Sequence, residues 1–428
     1  MRMHFLIVLL ASVAVTSAGA DTQVDISGQV RVRTELDDRS FDTANSYQDF
    51  ALLRSRVSVE AAVAENARAF VQFQDSRTLG GKDQSGAWQS GTLNDGKSVD
   101  LHQAYLEVAK VWLDGLGLKA GRFEFVMGNE RVFGSVGWSN VGRSWEGGLA
   151  WYQGDGFRVS SFLFRVQEEN YATFTGDFAL LGLHTRIDRA GLELFGVYER
   201  DNDTIGMFLG DTVRVADLQD HIMDRWSFGF YYSKEYHQFD FEFNGVYQAG
   251  QVVSDFTTID LQAFMFAGEV GYNFAGAGKA RIAAGVDYAS GDDDPADTDH
   301  KAYDNLYYTG HKFRGHMDYF VGSEPAGLMD IRVRGRLNFH PDWTAAADFH
   351  YFLTAQDYLD PADTGTTKDV GLEFDVSVST VSVAGVKLAG GVSLFLPQAS
   401  FVRLKLDDPD MTENDPAVWS YVQAVVDF

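Results

Sequence analysis

The stretch Leu118–Gly148, LKAGRFEFVMGNERVFGSVGWSNVGRSWEGG, decides the fold of this chain. It begins with a β-prone run, Leu118–Phe125, and a second extended run follows over Trp145–Gln153. The residues between them, 127–144, are rich in Gly, Arg, Asn and aromatic side chains and show no helical period. A tight turn at Gly154–Gly156 then ends the second run. A long loop at one end of a strand pair and a short turn at the other are typical of an up-and-down barrel in a membrane.

The rest of the chain repeats this pattern with long alternating runs. In Val24–Leu36 the even positions are mostly apolar and the odd positions are mostly polar or charged, and Ala51–Val63 alternates in the same way. Residues 331–339 and 370–377 alternate too, with Val370 on the apolar face. Runs of about ten residues or more are longer than the usual soluble strand and suit a tilted membrane span. We therefore expect the apolar faces to contact lipid and the charged faces to line a lumen.

Two runs alternate poorly. In Phe157–Gln167 and Leu261–Tyr272, apolar side chains occupy both sets of positions. We expect β-bulges or shifted strand ends there, since a bulge reverses the face on which later residues lie.

Connections between the runs are sorted by length. Tight turns are predicted at Glu65-Asn66, Asp114-Gly115, Gly154–Gly156, Asp188–Gly191, Tyr236-His237, Gly276–Gly278, His340–Asp342 and Ala384-Gly385. Long polar segments alternate with them, at 36–49, 78–97, 126–144, 169–176, 200–222, 249–258, 291–324, 355–367 and 397–415. Together these connections join about eighteen strands, with both termini on the periplasmic side. The sequence thus predicts an all-β, transmembrane, antiparallel up-and-down β-barrel.

Composition excludes several other classes of protein. The 428 residues include 35 Lys and Arg against 61 Asp and Glu, for a net charge of −26, which argues against nucleic acid as a partner. There is no Cys, so neither disulfides nor thiolate metal sites are available. The sequence also contains no apolar run long enough for a transmembrane helix.

The N-terminus has the features of a secretory signal peptide. Arg2 supplies a positive charge, Phe5–Val15 an apolar region, and Ala18-Gly19-Ala20 a cleavage motif before Asp21. The alternative is a buried N-terminal helix. We predict a signal peptide at 1–20 and a barrel at 21–428 in the outer membrane of a Gram-negative bacterium. A terminal aromatic, Phe428, is typical of proteins assembled into that membrane.

Two blocks of the chain resemble the alginate export family. The first holds Gly121-Arg122, Gly128, Arg131, Gly134, Trp138-Ser139-Asn140 and Gly142-Arg143-Ser144-Trp145-Glu146-Gly147. The second holds Ala289–Asp294, Tyr303–Tyr307, Thr309–Lys312 and Gly315–Asp318. Phe123 and Tyr308 stand where the family pattern has Gln and Pro. The resemblance implies an eighteen-stranded outer-membrane barrel that passes an anionic uronate polysaccharide, and it makes periplasmic export proteins candidate partners.

Arginines recur on the predicted lumen face. They are Arg31, Arg33, Arg54, Arg56 and Arg68 on the first three runs, and Arg332, Arg334 and Arg336 on a later one. An Arg facing lipid near the midplane costs about 2–4 kcal/mol, so a lumen placement is expected. These side chains could bind substrate carboxylates through two parallel hydrogen bonds. Alternatively, they only pair with lumen acids such as Glu60 and Glu373.

The segment 291–300, GDDDPADTDH, makes Asp292 and Asp294 candidate ligands for a divalent cation, although the loop lacks the EF-hand pattern. The alternative is a solvated loop whose bound divalent ions bridge to lipopolysaccharide. The whole segment 291–324 is long and aromatic enough to fold inward as a lid.

No catalytic motif for a serine hydrolase or a zinc protease is present, so neither an enzyme nor a cofactor is predicted. The sequence favours a passive outer-membrane channel for anionic, alginate-like saccharides, surrounded by lipid and lipopolysaccharide. A general or anion-selective porin is the main alternative, and a structural or adhesive barrel is another.

The predicted topology can be tested by proteolysis of intact cells. Protease added outside should cut only the long segments, such as 200–222 or 291–324, because these lie on the extracellular side. Fragment masses identify the sites. Cleavage at Asp114-Gly115 or at His340–Asp342 in intact cells would show that the orientation in the membrane is the reverse of the predicted one.

Overall fold

The computed structural model describes residues 22–41, 47–79, 99–167, 178–202, 222–254, 257–276, 278–294, 296–362, 365–411 and 414–428. The predicted signal peptide, 1–20, lies outside this range and stays a prediction. Nearly all of the described chain is β-strand, because long alternating runs place one side chain in two on each face of a sheet. No helix among the described residues is both long and apolar enough to cross a membrane.

The strands are β1 (Gln23–Asp38), β2 (Gln48–Ala64), β3 (Ala67–Leu79), β4 (Asp100–Ala109), β5 (Leu116–Phe123), β6 (Trp145–Gly154), β7 (Phe157–Gln167), β8 (Phe178–Ile187), β9 (Leu192–Asn202), β10 (Ile222–Tyr236), β11 (Phe239–Val253), β12 (Thr258–Asn273), β13 (Arg281–Ala289), β14 (Asp299–His300), β15 (Leu328–His340), β16 (Trp343–Leu359), β17 (Thr366–Val383), β18 (Val386–Pro397) and β19 (Ala417–Asp427). One helix, α1 (Ala399–Leu406), lies between β18 and β19. The two-residue β14 runs parallel to β12 at the rim, and the other eighteen strands form the wall.

Each wall strand is antiparallel to the next, and β1 pairs with β19 to close the barrel. At this seam the main chains of Gly28 and Phe428 exchange two hydrogen bonds, of 2.7 and 3.0 Å. A Cβ atom on Gly28 would lie 2.5 Å from the Phe428 ring, so a larger residue at this position would displace that ring. The closed antiparallel barrel of about eighteen strands is confirmed.

The connections are sorted by length as predicted, with two corrections. The segments 249–258 and 355–367 were predicted to be long loops, but the connections there span only 254–257 and 360–365. Strand pairing continues into both segments, as far as Val253 opposite Thr258 in the first. These polar residues therefore extend the strands rather than forming loops.

Outward and inward faces differ as the alternation predicts on β1. Val30 and Val32 are exposed on the outer surface, whereas Arg31 and Arg33 between them are buried inside the barrel. The inner faces are buried because loops enter the barrel and cover them.

The same loops explain why β7 and β12 alternate poorly. Phe162 and Phe164 on β7, and Leu261 and Met265 on β12, are buried on the inner face. Of the two alternatives predicted for residues 261–272, the shifted strand end is confirmed, since β12 begins at Thr258, and a bulge is not present, because β12 pairs with β11 and β13 without a shift in register. In β7 the register does shift, next to Gln167. Both strands are apolar on two faces because one face contacts lipid and the other contacts loops.

Val370 was predicted on the lipid face and lies inside instead, with 1% of its surface exposed. The register between β16 and β17 shifts at Phe352 and Leu353, which turns Val370 inward toward the loops. Phe374 and Val376, beyond the irregularity, are exposed on the outer face as predicted.

The inner apolar face can be tested with two neighbouring residues of β7. Phe164 is fully buried inside, so Phe164→Ala should lower the free energy of unfolding by about 3–5 kcal/mol. Leu163 is 58% exposed on the outer face, where lipid or detergent fills the space left by a smaller side chain, so Leu163→Ala should cost less than half as much. Equilibrium unfolding in detergent micelles measures both changes. Equal losses would contradict an apolar interior at this position.

Candidate functional site

Two long loops fold into the barrel and contact each other there. The first inner loop spans residues 124–144 and the second spans residues 290–327. They are joined by a bridge between Phe133 and Tyr307, with Gly134 N donating to Tyr307 O at 2.9 Å and Tyr307 N donating to Val132 O at 3.0 Å. The predicted inward fold of the segment 291–324 is therefore observed.

An aromatic cluster fixes the first inner loop against the wall. Phe133 is fully buried, and its ring centroid lies 5.3 Å from that of Trp145 and 5.1 Å from that of Tyr307. Trp145 stacks on Phe164 of β7 at 5.2 Å. Both inner loops therefore pack against the apolar inner face of β7.

A second aromatic cluster fixes the other half of the second inner loop. Phe320 lies 4.4 Å from Phe352 of β16, and Tyr319 lies 4.7 Å from Phe395 of β18, measured between ring centroids. Phe401 of α1 covers this cluster from the end of the barrel that carries the long loops, at 5.9 Å from Phe395. Burial raises the pKa of Tyr308 to about 12, so this loop phenol stays a neutral donor, bonded to Phe320 O at 2.7 Å.

Arg31 and Arg54 bind the backbone of the first inner loop. Arg31 donates to the carbonyl oxygens of Gly137 and Trp138 at 3.0 Å each and to Ser139 O at 2.9 Å. Arg54 donates to Gly137 O and Ser139 O, both at 3.1 Å. All of these acceptors are neutral, so the contacts fix the loop but leave both guanidinium charges uncancelled.

Arg33 and Arg56 have mixed partners. Arg33 Nη1 donates to Trp138 O at 2.7 Å, while its Nε lies 2.6 Å from Glu35 Oε1. Arg56 Nη1 lies 3.2 Å from Glu124 Oε1 of the first inner loop. These two charges are therefore partly balanced by carboxylates.

The other predicted lumen arginines are mostly paired. Arg68 contacts Glu60 at 3.2 Å and Glu107 at 3.0 Å. Arg332 is buried and binds Asp287 and, at 3.1 Å, Glu269.

Arg334 and Arg336 follow on the same strand. Arg334 lies 3.5 Å from Asp348 and donates to Phe313 O at 3.2 Å. Arg336 is exposed on the inner face opposite Arg281, and no ion pair holds it within the described chain. The structure thus places all eight arginines on the inner face, and whether they bind substrate stays a prediction.

The motif residues of the first block have structural roles in this region. Arg131 is buried, 2.6 Å from Asp287 and stacked 4.0 Å from the Phe313 ring. Arg143 donates to the carbonyl oxygens of Tyr307 and Tyr308, which ties the two inner loops together.

Trp138 lies between several aromatic and cationic groups. Its ring stacks 4.1 Å from His311 and lies 4.0 Å from the Arg33 guanidinium. Gly121 has a positive φ of 129°, and a Cβ atom there would meet Ala104 O at 2.2 Å. Arg122, by contrast, pairs at 2.8 Å with the exposed Glu146 and makes no contact with the inner loops among the described residues.

Carboxylates of β17 hold the second inner loop from the opposite wall. Met317 N donates to Glu373 Oε1 at 2.8 Å, and His316 N donates to Asp375 Oδ2 at 3.3 Å. Burial lowers the pKa of His316. The loop is therefore fixed on one side through its contacts with the first inner loop and on the other by acids.

One further ion-pair network between the wall and the second inner loop was not predicted from the sequence. Arg225 of β10 is buried and binds Glu199 at 2.8 Å and Asp304 of the second inner loop at 3.1 Å, while Tyr307 OH donates to Glu199 at 2.8 Å. Charged residues at inward positions of β9 and β10, next to buried apolar ones, were the available signal.

Asp292 and Asp294, the candidate cation ligands, lie at the rim. Asp292 Oδ2 is 3.4 Å from His300 Nδ1, and Asp292 Oδ1 accepts from Asp294 N at 3.3 Å. Within the described ranges, no group of three or more His, Asp or Glu side chains is arranged to hold a metal ion.

Comparison with known proteins identifies the family and the fold. The profile of the alginate export family matches residues 22–401. No curated protein matches the chain. Among solved structures, OccK2 (OpdF) of Pseudomonas aeruginosa is 10% identical, with 95% of this chain and 98% of that chain covered and a TM-score of 0.59. A BenF-like porin from Pseudomonas fluorescens Pf-5 is 11% identical, with 95% and 98% covered and a TM-score of 0.60.

OccK2 has also been solved in complex with glucuronate, and that structure is 10% identical, with 95% and 98% covered and a TM-score of 0.57. At these identities the likeness shows the fold, that of outer-membrane porins.

The second inner loop should limit the current through the barrel. Replacing residues 310–318 by a short Gly-Ser link should raise single-channel conductance, because these residues occupy the lumen beside Glu373 and Asp375. Planar bilayers measure the conductance, and heat-modifiable gel mobility checks folding. Shortening the chain around the exposed residues Asp293, Asp294, Ala296 and Asp297 is the control and should change little. A conductance that stays unchanged on removing 310–318 would show that the loop does not narrow the pore.

Proposed function

This chain belongs to the alginate export family of outer-membrane channels, and we propose that it passes anionic, alginate-like saccharides by passive diffusion through an arginine-lined constriction. The observation that carries this proposal is the pair Arg31 and Arg54. Both face inward at directly opposed positions of β1 and β2, and both are held by neutral carbonyl oxygens of the first inner loop. Their positive charge is therefore positioned without being cancelled.

Burial makes that charge more effective at a distance. Arg31 and Arg54 are 3% and 5% exposed, so protein rather than salt solution surrounds them. Coulomb interactions are stronger and less screened under these conditions than at an open surface. A polyanion threading past the first inner loop would be attracted by the field of both groups, even without touching either guanidinium.

The acids of the lumen oppose this field less than their number implies. Asp287 is bound by Arg131 and Arg332, and Glu269 by Arg281 and Arg332. These two carboxylates are balanced by arginine and so do not oppose the field, whereas Glu373 and Asp375 on β17 are bound by backbone N–H groups and do. A general or anion-selective porin is the alternative, since the same field would admit small anions.

The fold neighbours support a saccharide rather than a simple salt as the cargo. OccK2, whose fold this chain shares, has been crystallised with glucuronate, a monomeric uronate. A uronate polymer carries the same carboxylate on every ring, so each residue of the chain would be attracted in turn.

Ion-current block tests the proposal. A uronate oligomer should block the open pore far more than a neutral glucan of equal length, because only the uronate carries carboxylates. Changing Arg31, Arg33, Arg54 and Arg56 together to Gln should abolish that preference, while Gln side chains can still donate to the loop carbonyls. A matched control removes the same number of charges from exposed or half-buried side chains that do not bind the first inner loop, namely Arg77, Arg122, Arg189 and Arg200.

Single-channel conductance measured with added neutral polymer reports the size of the pore. This measurement separates a change in pore size from a change in charge. If the fourfold Gln variant loses the preference at unchanged pore size, the effect is electrostatic. A wild-type pore that selects cations and is not blocked by the uronate would leave only the general porin, and negligible current would favour a structural or adhesive barrel.

A further inference from the structure

Binding of a carboxylate, as distinct from attraction to it, needs a guanidinium whose N–H groups are available. At the constriction most of these groups are occupied, by loop carbonyls at Arg31 and Arg54 and by acids as well at Arg33 and Arg56. Among the lumen-facing arginines of the described chain, Arg158 and Arg336 have neither a hydrogen bond nor an ion pair. Arg336 is exposed and has no recorded contact with an aromatic ring. The guanidinium of Arg158, by contrast, contacts an aromatic ring that holds it in place.

Arg158 is the second residue of β7 and lies at the end of the barrel that carries the short turns. It faces inward, opposite Gln153 of β6 and Arg186 of β8. Since short turns lie on the periplasmic side, this is the periplasmic mouth of the lumen. The side chain is half-buried, so the guanidinium is reachable from the lumen.

Trp151 of β6 positions this guanidinium. The Arg158 Cζ atom lies 4.7 Å from the centroid of the Trp151 ring. Trp151 in turn lies across Gly117 of β5, where a Cβ atom would fall 2.1 Å from the ring. A cation–π contact orients a guanidinium without neutralising it or occupying its N–H groups.

The charged groups around Arg158 do not cancel it. Arg186 opposite is itself paired with Asp188 at 2.8 Å. Glu107, the acid on the same inner wall, is bound by Lys119 at 2.9 Å and by Arg68 at 3.0 Å. The local balance among these groups is therefore positive.

Aromatic surface suited to sugar rings lies on the same wall. Tyr105 stacks on Phe70 at 5.1 Å, and the Lys119 ammonium lies 4.3 Å from the Tyr105 ring. Rings beside cations offer a saccharide both an apolar face and a partner for its carboxylate.

We propose that Arg158, seated on Trp151, is the carboxylate-binding group of a uronate subsite at the periplasmic mouth. This inference rests on the proposed function and adds the position and the residue at which a uronate ring is first bound from the periplasm. Its carboxylate accepts two N–H groups of the guanidinium fork, while the ring lies along the wall toward Tyr105.

Side-resolved current block tests the subsite. A uronate tetramer is added to one side of an oriented channel at a time, near physiological salt. Arg158→Gln should lower the association rate of blocking events from the periplasmic side about tenfold, since it removes hydrogen bonds to a charged group. The rate from the extracellular side should change by less than about twofold, because that approach meets the constriction first.

Three further variants separate geometry from charge. Arg158→Lys keeps the charge but loses the planar guanidinium. Trp151→Leu keeps Arg158 but removes the ring that orients it. Both variants should therefore lose most of the block by the uronate from the periplasmic side. Arg189→Gln is the control, because Arg189 lies on a turn at the same mouth with 81% of its side chain exposed. Heat-modifiable gel mobility confirms that each variant is folded.

The outcomes distinguish the subsite from the function. Unchanged periplasmic block in Arg158→Gln, or an equal loss in Arg189→Gln, overturns the subsite and leaves the channel proposal standing. If the uronate blocks Arg158→Lys as strongly as the wild type, the proposed roles of the planar guanidinium and of the Trp151 ring are wrong. If the uronate blocks the wild-type channel from neither side, the proposed function fails and the subsite with it.

Discussion

A loop that enters a barrel brings backbone carbonyl groups with it, and each must find a hydrogen-bond donor once water is excluded. In this protein the donors include guanidinium groups of the wall and of the loop itself. Arg31 and Arg54 bind carbonyl oxygens of Gly137 and Ser139, and Arg143 binds that of Tyr307. The rest of the lumen follows from these bonds, because they set how far the first inner loop extends into the pore. They also explain how charge can be concentrated at a constriction without collapsing into ion pairs.

Much of the wall could be predicted from the sequence, because lipid on one side and a lumen on the other impose period-two alternation. The alternation of residues 24–36 predicted both faces of β1 correctly. It failed at β7 and β12, where the inner face meets loops and is apolar as well. Val370 was misplaced because a shift in register depends on the pairing partner, which the sequence of one strand does not contain.

The candidate site was predictable only in part, for a related reason. Strand periodicity gives the face on which Arg31 or Arg332 lies, but the partner of each comes from a distant part of the chain. Arg31 meets carbonyl groups of residues 137–139, whereas Arg332 meets Asp287 and Glu269. Two arginines that look alike in the sequence therefore differ in charge balance. The charge of Arg31 is not cancelled by its partners, whereas that of Arg332 is. Arg158 stood out only once its contact with Trp151 was known.

The apolar inner faces of β7 and β12 have a consequence for assembly. Before the inner loops are seated, these strands present Phe162, Phe164 and Met265 on one side and lipid-facing residues on the other, which makes them prone to aggregate in water. Seating of the inner loops therefore covers apolar surface that the closed barrel would otherwise present to its lumen. For the same reason the barrel does not become a wide, empty nanopore when both loops are removed whole. Its interior would expose apolar side chains to water. A wider pore is therefore better engineered by shortening the loops than by removing them.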